Sequence, residues 1–156
     1  ITGSVVEEDQ QQRTNRLYLH WLPTGRLGVA AEYYDEYFER DRLVTNLRTP
    51  GKLVTRSLPV TLTYSHPNRW FGKVRATGVA QEIEGSAVGR GEDRFWLCDL
   101  SVGYRLPRRY GIISLDAKNV FDEEFKFHDV DFQNGTIPRS MYQPQRTVFL
   151  NFSPML

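Results

Sequence analysis

Residues 95–121 read FWLCDLSVGYRLPRRYGIISLDAKNVF, and their parity governs the reading of the whole chain. In the first half Trp96, Cys98, Leu100, Val102, Tyr104 and Leu106 share one parity, against Asp99, Ser101, Gly103 and Arg105 on the other. Successive side chains on a strand point to opposite faces, so this run has one apolar and one polar face. After Pro107-Arg108-Arg109 the pattern resumes, with Ile113, Leu115, Ala117 and Phe121 opposite Ser114, Asp116 and Lys118. Two alternating runs joined by a tight Pro-containing turn predict an antiparallel β-hairpin.

The same unit recurs outward from it. Residues 16–22 alternate through Leu17, Leu19 and Trp21, and 27–37 through Leu27, Val29, Ala31, Tyr33 and Tyr37. Residues 54–64 do so through Leu58, Val60, Leu62 and Tyr64, with Arg56 breaking the phase. Pro59 lies on the polar parity of that run, where its missing N–H has to be tolerated. Residues 70–80 carry Trp70, Val74, Ala76 and Ala80 in phase, and 147–153 carry Val148, Leu150 and Phe152, with Phe149 as an exception. A further strand is expected within 1–8. That makes about eight strands, and no segment sustains a helical period.

The connections alternate in kind. Short turns are expected at 23–25, 66–68 and 107–110, and long polar loops at 9–15, 39–52, 83–94 and 122–145. In an up-and-down sheet this gathers the short turns at one end and the long loops at the other, the asymmetry of outer-membrane barrels. Aromatic residues add a second regularity. Trp21, Tyr64, Trp70 and Tyr104 stand beside the short turns, and Tyr37, Trp96 and Phe121 toward the long loops. Two aromatic rows bracketing Leu, Val, Ile and Ala resemble the girdles at the two bilayer interfaces. A soluble sandwich or lipocalin-like barrel alternates too, with its apolar face inward. Loop asymmetry and aromatic rows favour the lipid-facing arrangement.

Composition sets outer bounds. The chain has 156 residues, enough for one domain with a core. Lys and Arg number 20 against 19 Asp and Glu, a net charge of +1 that gives no signal for nucleic acid. Mean hydropathy is −0.50, and no stretch approaches the ~18 apolar residues of a membrane helix. Barrel strands need only ~9–11 alternating residues, so membrane insertion by strands stays open. One cysteine, Cys98, excludes an internal disulfide framework, and its apolar parity makes it a small hydrophobe. A chain opening at Ile1 is expected to be a processed product or a piece of a longer one.

Residues 93–156 resemble the C-terminal end of a TonB-dependent outer-membrane receptor barrel. The resemblance rests on Asp99-Leu100-Ser101-Val102-Gly103-Tyr104, on Leu115-Asp116-Ala117-Lys118-Asn119-Val120-Phe121-Asp122, and on Pro144-Gln145-Arg146-Thr147-Val148-Phe149-Leu150. The Asn-Val-Phe-Asp step is its most specific part. Before residue 93 the likeness is generic. The family usually ends on an aromatic residue read by the barrel-assembly machinery, whereas this chain ends Phe152-Ser153-Pro154-Met155-Leu156. Nothing in it resembles the plug domain or the motif that engages TonB, so a partnership with TonB would run through N-terminal regions that the sequence lacks.

The expectation is therefore an all-β chain: an antiparallel up-and-down transmembrane β-barrel, with 1–156 a single segment supplying about eight C-terminal strands of a larger barrel. The resemblance implies a bacterial outer-membrane location, outer-membrane lipid as partner, and solute passage without enzymatic activity or cofactor. A barrel that anchors or exports for a periplasmic helical-repeat assembly is the alternative, and a soluble ligand-binding β-barrel is a third reading.

Candidate residues follow from parity. Lys73, Arg75, Asp99, Arg105, Asp116 and Lys118 fall on the polar parity, as the lining of a water-filled or plugged lumen would. On a soluble sheet the same letters would be exposed charges. Asn119, Phe121 and Asp122 are expected to end a strand, because Asn and Asp bond nearby backbone N–H groups. Arg105, Arg108 and Arg109 cluster at a short turn, where charge-assisted hydrogen bonds to lipid phosphates or to a partner are one reading and a plain soluble rim is the other. Asp122, Glu123, Glu124, His128, Asp129 and Asp131 crowd the longest loop, but their spacing matches no calcium loop. Asp129 and Asp131 are the nearest to a metal site, and none is assigned. His20, His66 and His128 have no spacing that argues for a catalytic set.

Overall fold

A computed structural model describes residues 9–40, 51–86, 89–127, 141–142 and 145–154. The chain is all-β. Its strands are β1 (Gln10–Thr24), β2 (Leu27–Arg40), β3 (Lys52–Ser65), β4 (Trp70–Ser86), β5 (Gly89–Arg105), β6 (Gly111–Lys118), β7 (Lys126–Phe127), β8 (Met141–Tyr142) and β9 (Thr147–Pro154). A short 3₁₀ turn, Pro107–Arg109, joins β5 to β6. Seven strands form one open, wholly antiparallel sheet in the order β1-β2-β3-β4-β5-β6-β9, and β7 pairs with β8 separately.

Three expectations are corrected. Residues 10–15 are strand rather than loop, and most of 83–94 extends β4 and β5 into one long hairpin. Polar side chains there occupy both faces, so the ladder satisfies the backbone while no apolar alternation marks it. The connection between β4 and β5 is accordingly short, and the strict alternation of short and long connections fails at that point. Among the described residues the main sheet has seven strands, each matching one of those expected. The strand expected within 1–8 and the loop residues 41–50 lie outside the described residues.

Register explains the irregular positions. Pro59 sits in central strand β3, where the β3–β4 ladder runs through Pro59 and Thr77 without a break. The β2–β3 ladder instead passes from Ala31–Val60 to Tyr34–Ser57. The donor that proline lacks thus falls on the β2 side. Arg56, out of phase in the sequence, pairs with Asp35 at 3.3 Å across the same two strands.

Two glycines admit aromatic rings from the neighbouring strand. Gly78 faces Trp96, whose ring would lie 2.9 Å from a Cβ at that position. Gly103 faces Phe71, whose ring would lie 2.2 Å from one, and Arg105 lies 5.3 Å from the Phe71 centroid. Such cross-strand pairs fix register as well as cover backbone. Gly103→Ala is therefore expected to lower stability by about 1–3 kcal/mol, measured as the midpoint of heat or denaturant unfolding. In the Phe71→Ala background the same change is expected to cost much less, because the clash is gone.

Candidate functional site

Register turns the parities into two continuous faces. Trp21, Val29, Leu62, Val74, Leu100, Ala117 and Val148 stand opposite one another across all seven strands. Beside them run Tyr64, Gly72, Val102, Leu115 and Leu150, then Trp70, Tyr104, Ile113 and Phe152. Most of these side chains are exposed, Leu62 to 45 %, Leu115 to 53 % and Leu150 to 75 %, while Val29, Tyr104 and Ala117 are half-buried. A soluble chain seldom leaves so broad an apolar surface uncovered. Toward the other end the same face becomes mixed, with Asn15, Asp35, Arg56, Ala80 and Arg94 in one row and Arg13, Tyr37, Val54, Glu82 and Glu92 in the next.

Apolar side chains change faces at that level. The buried cluster of Phe38, Leu53 and Ile83 lies on the opposite parity, beyond Asp35 and Arg56. Phe95 joins that face and stacks on Phe125 with centroids 4.4 Å apart. Thus the outer third of the sheet has a small interior of its own, while the long apolar stretch faces outward from the other side.

The aromatic rows run obliquely to the register. Trp70 and Tyr104 are direct partners, their rings 4.9 Å apart. Trp21 lies level with Leu100, four residues farther along β5 than Tyr104 and four strands away. At the other boundary Tyr37 lies level with Glu92, four residues beyond Trp96 and three strands away. Both offsets run the same way. With about 3.4 Å per residue and about 4.8 Å between strands, they correspond to tilts of roughly 35° and 43°. The parity of Tyr33, two residues from Ala31, also brings it to this face; the sequence reading placed it in phase but in neither row.

The polar face gathers the other candidates. Lys73 stands opposite Ser101, and Ser101 opposite Asp116. Asp116 accepts hydrogen bonds from Ser114 at 3.0 Å and Asn151 at 2.5 Å. Arg75 stands opposite Asp99, whose carboxylate pairs with Lys118 at 3.0 Å and accepts the Asn119 N–H at 3.1 Å. Arg105 stays apart from this network, against Phe71. A second group escaped the sequence reading: Glu32 receives Arg16 at 3.2 Å and the Tyr34 hydroxyl at 2.5 Å. Its signal was present, since Glu32 and Tyr34 hold the polar parity of β2.

β6 ends at Lys118, and the next residues are spent on the backbone. Asn119 adopts a left-handed φ of 47° and Asp122 one of 58°, conformations that Asn and Asp tolerate well. The buried Asn119 side chain donates to the Glu123 carbonyl at 2.9 Å and accepts the Glu123 N–H at 3.0 Å. Asp122 accepts the Arg146 N–H at 2.7 Å, tying the exit of β6 to the approach of β9. Phe121 is exposed. Because Asn119 uses both ends of its amide locally, this segment is built as a strand end.

His128, Asp129 and Asp131 lie outside the described residues. Among the described residues no group of three or more His, Cys, Asp or Glu converges as metal ligands would. Comparisons with protein-family models, curated proteins and solved structures find no match to this chain.

Asn119→Ala is expected to lower the unfolding midpoint by the equivalent of about 1–3 kcal/mol, since it strands two backbone groups and strains a left-handed residue. Asn119→Gly relieves only the strain, so it should fall between wild type and Asn119→Ala in thermal unfolding. Asn119→Ala and Asn119→Gly with equal midpoints would exclude the strain contribution.

Proposed function

We propose that this chain is part of a bacterial outer-membrane β-barrel taking part in solute passage, as in the TonB-dependent receptors that residues 93–156 resemble. On this reading the apolar face meets lipid, and the face bearing Lys73, Arg75, Asp99, Arg105, Asp116 and Lys118 lines the interior.

One observation carries the reading: the shared slant of the two aromatic boundaries. Strands of transmembrane barrels tilt by about 35–45°, so a flat bilayer interface must cut obliquely across their register. The slants set by Trp21 with Tyr104, and by Tyr37 with Trp96, fall at that tilt. Trp96 and Tyr104 are eight residue steps apart along β5. At about 3.4 Å each and a tilt near 40° these steps span roughly 21 Å, close to the ~25 Å apolar belt of outer-membrane barrels. The switch of apolar side chains to the other face beyond Asp35 and Arg56 fits the same picture. There both faces leave hydrocarbon, and the buried cluster of Phe38, Leu53 and Ile83 forms on the inner side, with Val54 buried on the outer one. No described helix is long and apolar enough to cross a membrane, which says nothing of strands.

Two experiments test the reading. Leu100→Arg is expected to impair membrane assembly by the equivalent of about 2–4 kcal/mol, while Thr63→Arg on the other face is mild. The readout is the folded, heat-modifiable fraction in the membrane. Equal tolerance of both changes would defeat the assignment of faces. Single cysteines in a Cys98→Ala background test topology. Labels at Glu39 and Asp93 are expected to react with an impermeant reagent outside intact cells, and labels at Thr24, Asn68 and Arg108 only after the outer membrane is opened. Reaction of both sets from one side would refute the spanning arrangement.

A further inference from the structure

Each of the three short turns carries an exposed arginine: Arg26, Arg69 and Arg108. Backbone hydrogen bonds tie the turns to their neighbours. The Ser65 N–H donates to the Arg26 carbonyl at 2.8 Å, and the Arg105 N–H to the Arg69 carbonyl at 3.0 Å. The turn residues 23–26, 65–69 and 106–110 contain no carboxylate. None of the three arginines has an ion-pair partner among the described residues. At the opposite end Glu39, Glu82, Glu92 and Asp93 stand among Arg40, Lys52, Arg56 and Arg94, so charge there is mixed and the cations have acids within the same end of the sheet.

Backbone conformation gives an independent indication. Arg69 has φ 73° and Arg108 φ 53°, the left-handed region where glycine or asparagine is the easier choice. Turn geometry alone therefore does not call for arginine at either position. Strain retained at a position with no partner in the fold points to a use for the side chain outside it.

We infer that Arg26, Arg69 and Arg108 bind the phosphate groups of anionic phospholipid headgroups in the leaflet beside the short turns. The inference rests on the barrel reading above. The Trp70–Tyr104 pair, its rings inclined at 53°, marks the edge of the apolar band next to these turns, and aromatic belts sit at headgroup depth. Guanidinium groups at that depth match phosphate oxygens two at a time and are drawn to a negatively charged leaflet. Arg105 is excluded, because it lies on the polar face over Phe71.

The test uses the full-length protein in vesicles of phosphatidylcholine alone or mixed with phosphatidylglycerol. Flotation reports insertion, and native mass spectrometry reports the phosphatidylglycerol retained. Each Arg→Gln change in the rim is expected to weaken retention about five-fold, equivalent to about 1 kcal/mol. Added salt should weaken wild-type retention similarly. Arg→Lys changes should keep most of it, and Arg105→Gln should leave it unchanged. Arg69→Gly with Arg108→Gly separates backbone from side chain, since the turns are relieved while retention still falls. Insertion into both vesicles with no preference for phosphatidylglycerol would overturn this inference alone. Displacement of the lipid by equimolar inorganic phosphate would also overturn it, as would binding of polyglutamate in its place. Failure to insert into either vesicle would overturn the barrel reading itself.

Discussion

Register is the constraint on which the rest of this structure depends. A strand's side chains alternate with a period of two, so a slip of one residue between any pair of strands would exchange their faces. The row from Trp21 through Leu62 and Leu100 to Val148 stays continuous only because six successive ladders keep step. Several features hold them there. The Gly78–Trp96 and Gly103–Phe71 pairs admit one alignment, Gln81 donates to Thr55 across β3 and β4 in a buried contact, and Asp35 meets Arg56 across β2 and β3. Individually the exposed ion pairs are worth little. Their placement at the limit of the apolar band nevertheless marks where the face changes character.

Most of the sheet could be read from the sequence because alternation survives wherever one face is apolar. The hairpin of β5 and β6, and the phases of β2, β3, β4 and β9, follow from Leu, Val, Ile and aromatic residues at every second position. Legibility failed where that condition failed. Residues 10–15 and 83–94 carry polar groups on both faces, so their strand character lies in backbone pairing alone and leaves no mark in hydropathy. Residue types and parity were enough to place Lys73, Asp99 and Asp116 on one face. They could not show that Asp99 joins Lys118 to the Asn119 backbone, or that Asp116 draws Asn151 from β9, because those contacts depend on register between distant segments. The slant of the aromatic rows was hidden for the same reason. It appears only once residues on different strands are put level with one another.

The two ends of the sheet answer different demands on the same backbone. In the band between Tyr104 and Trp96 most apolar side chains project from one face and many remain exposed, with Leu97 and Phe149 on the other. Beyond Tyr37 the buried apolar groups are Phe38, Leu53 and Ile83, on the other face. A sheet packed in water throughout would bury one face along its whole length, since the solvent is the same at both ends. An apolar face left exposed along one part of continuous strands, with a buried apolar cluster on the other face farther along, is what a change of surroundings along their length would require. This weighs for the lipid-facing reading more than exposure does, because a single open sheet leaves much of both faces exposed in any case.

The direction of the edge strands carries the argument one step further. Six antiparallel pairings separate β1 from β9, so the two edges point the same way. Joining them directly would make a seven-stranded ring with one parallel seam. An all-antiparallel ring that includes this sheet needs an odd number of additional strands between β9 and β1. Identical copies arranged around an axis parallel to the strands cannot provide them, because each copy would meet the next through the same parallel seam. The edges are also unequal, 15 residues in β1 against 8 in β9. In such a ring the strand paired with β1 would have a long ladder to satisfy, and it would need apolar side chains opposite Leu17, Leu19 and Trp21 for the apolar band to continue past that edge.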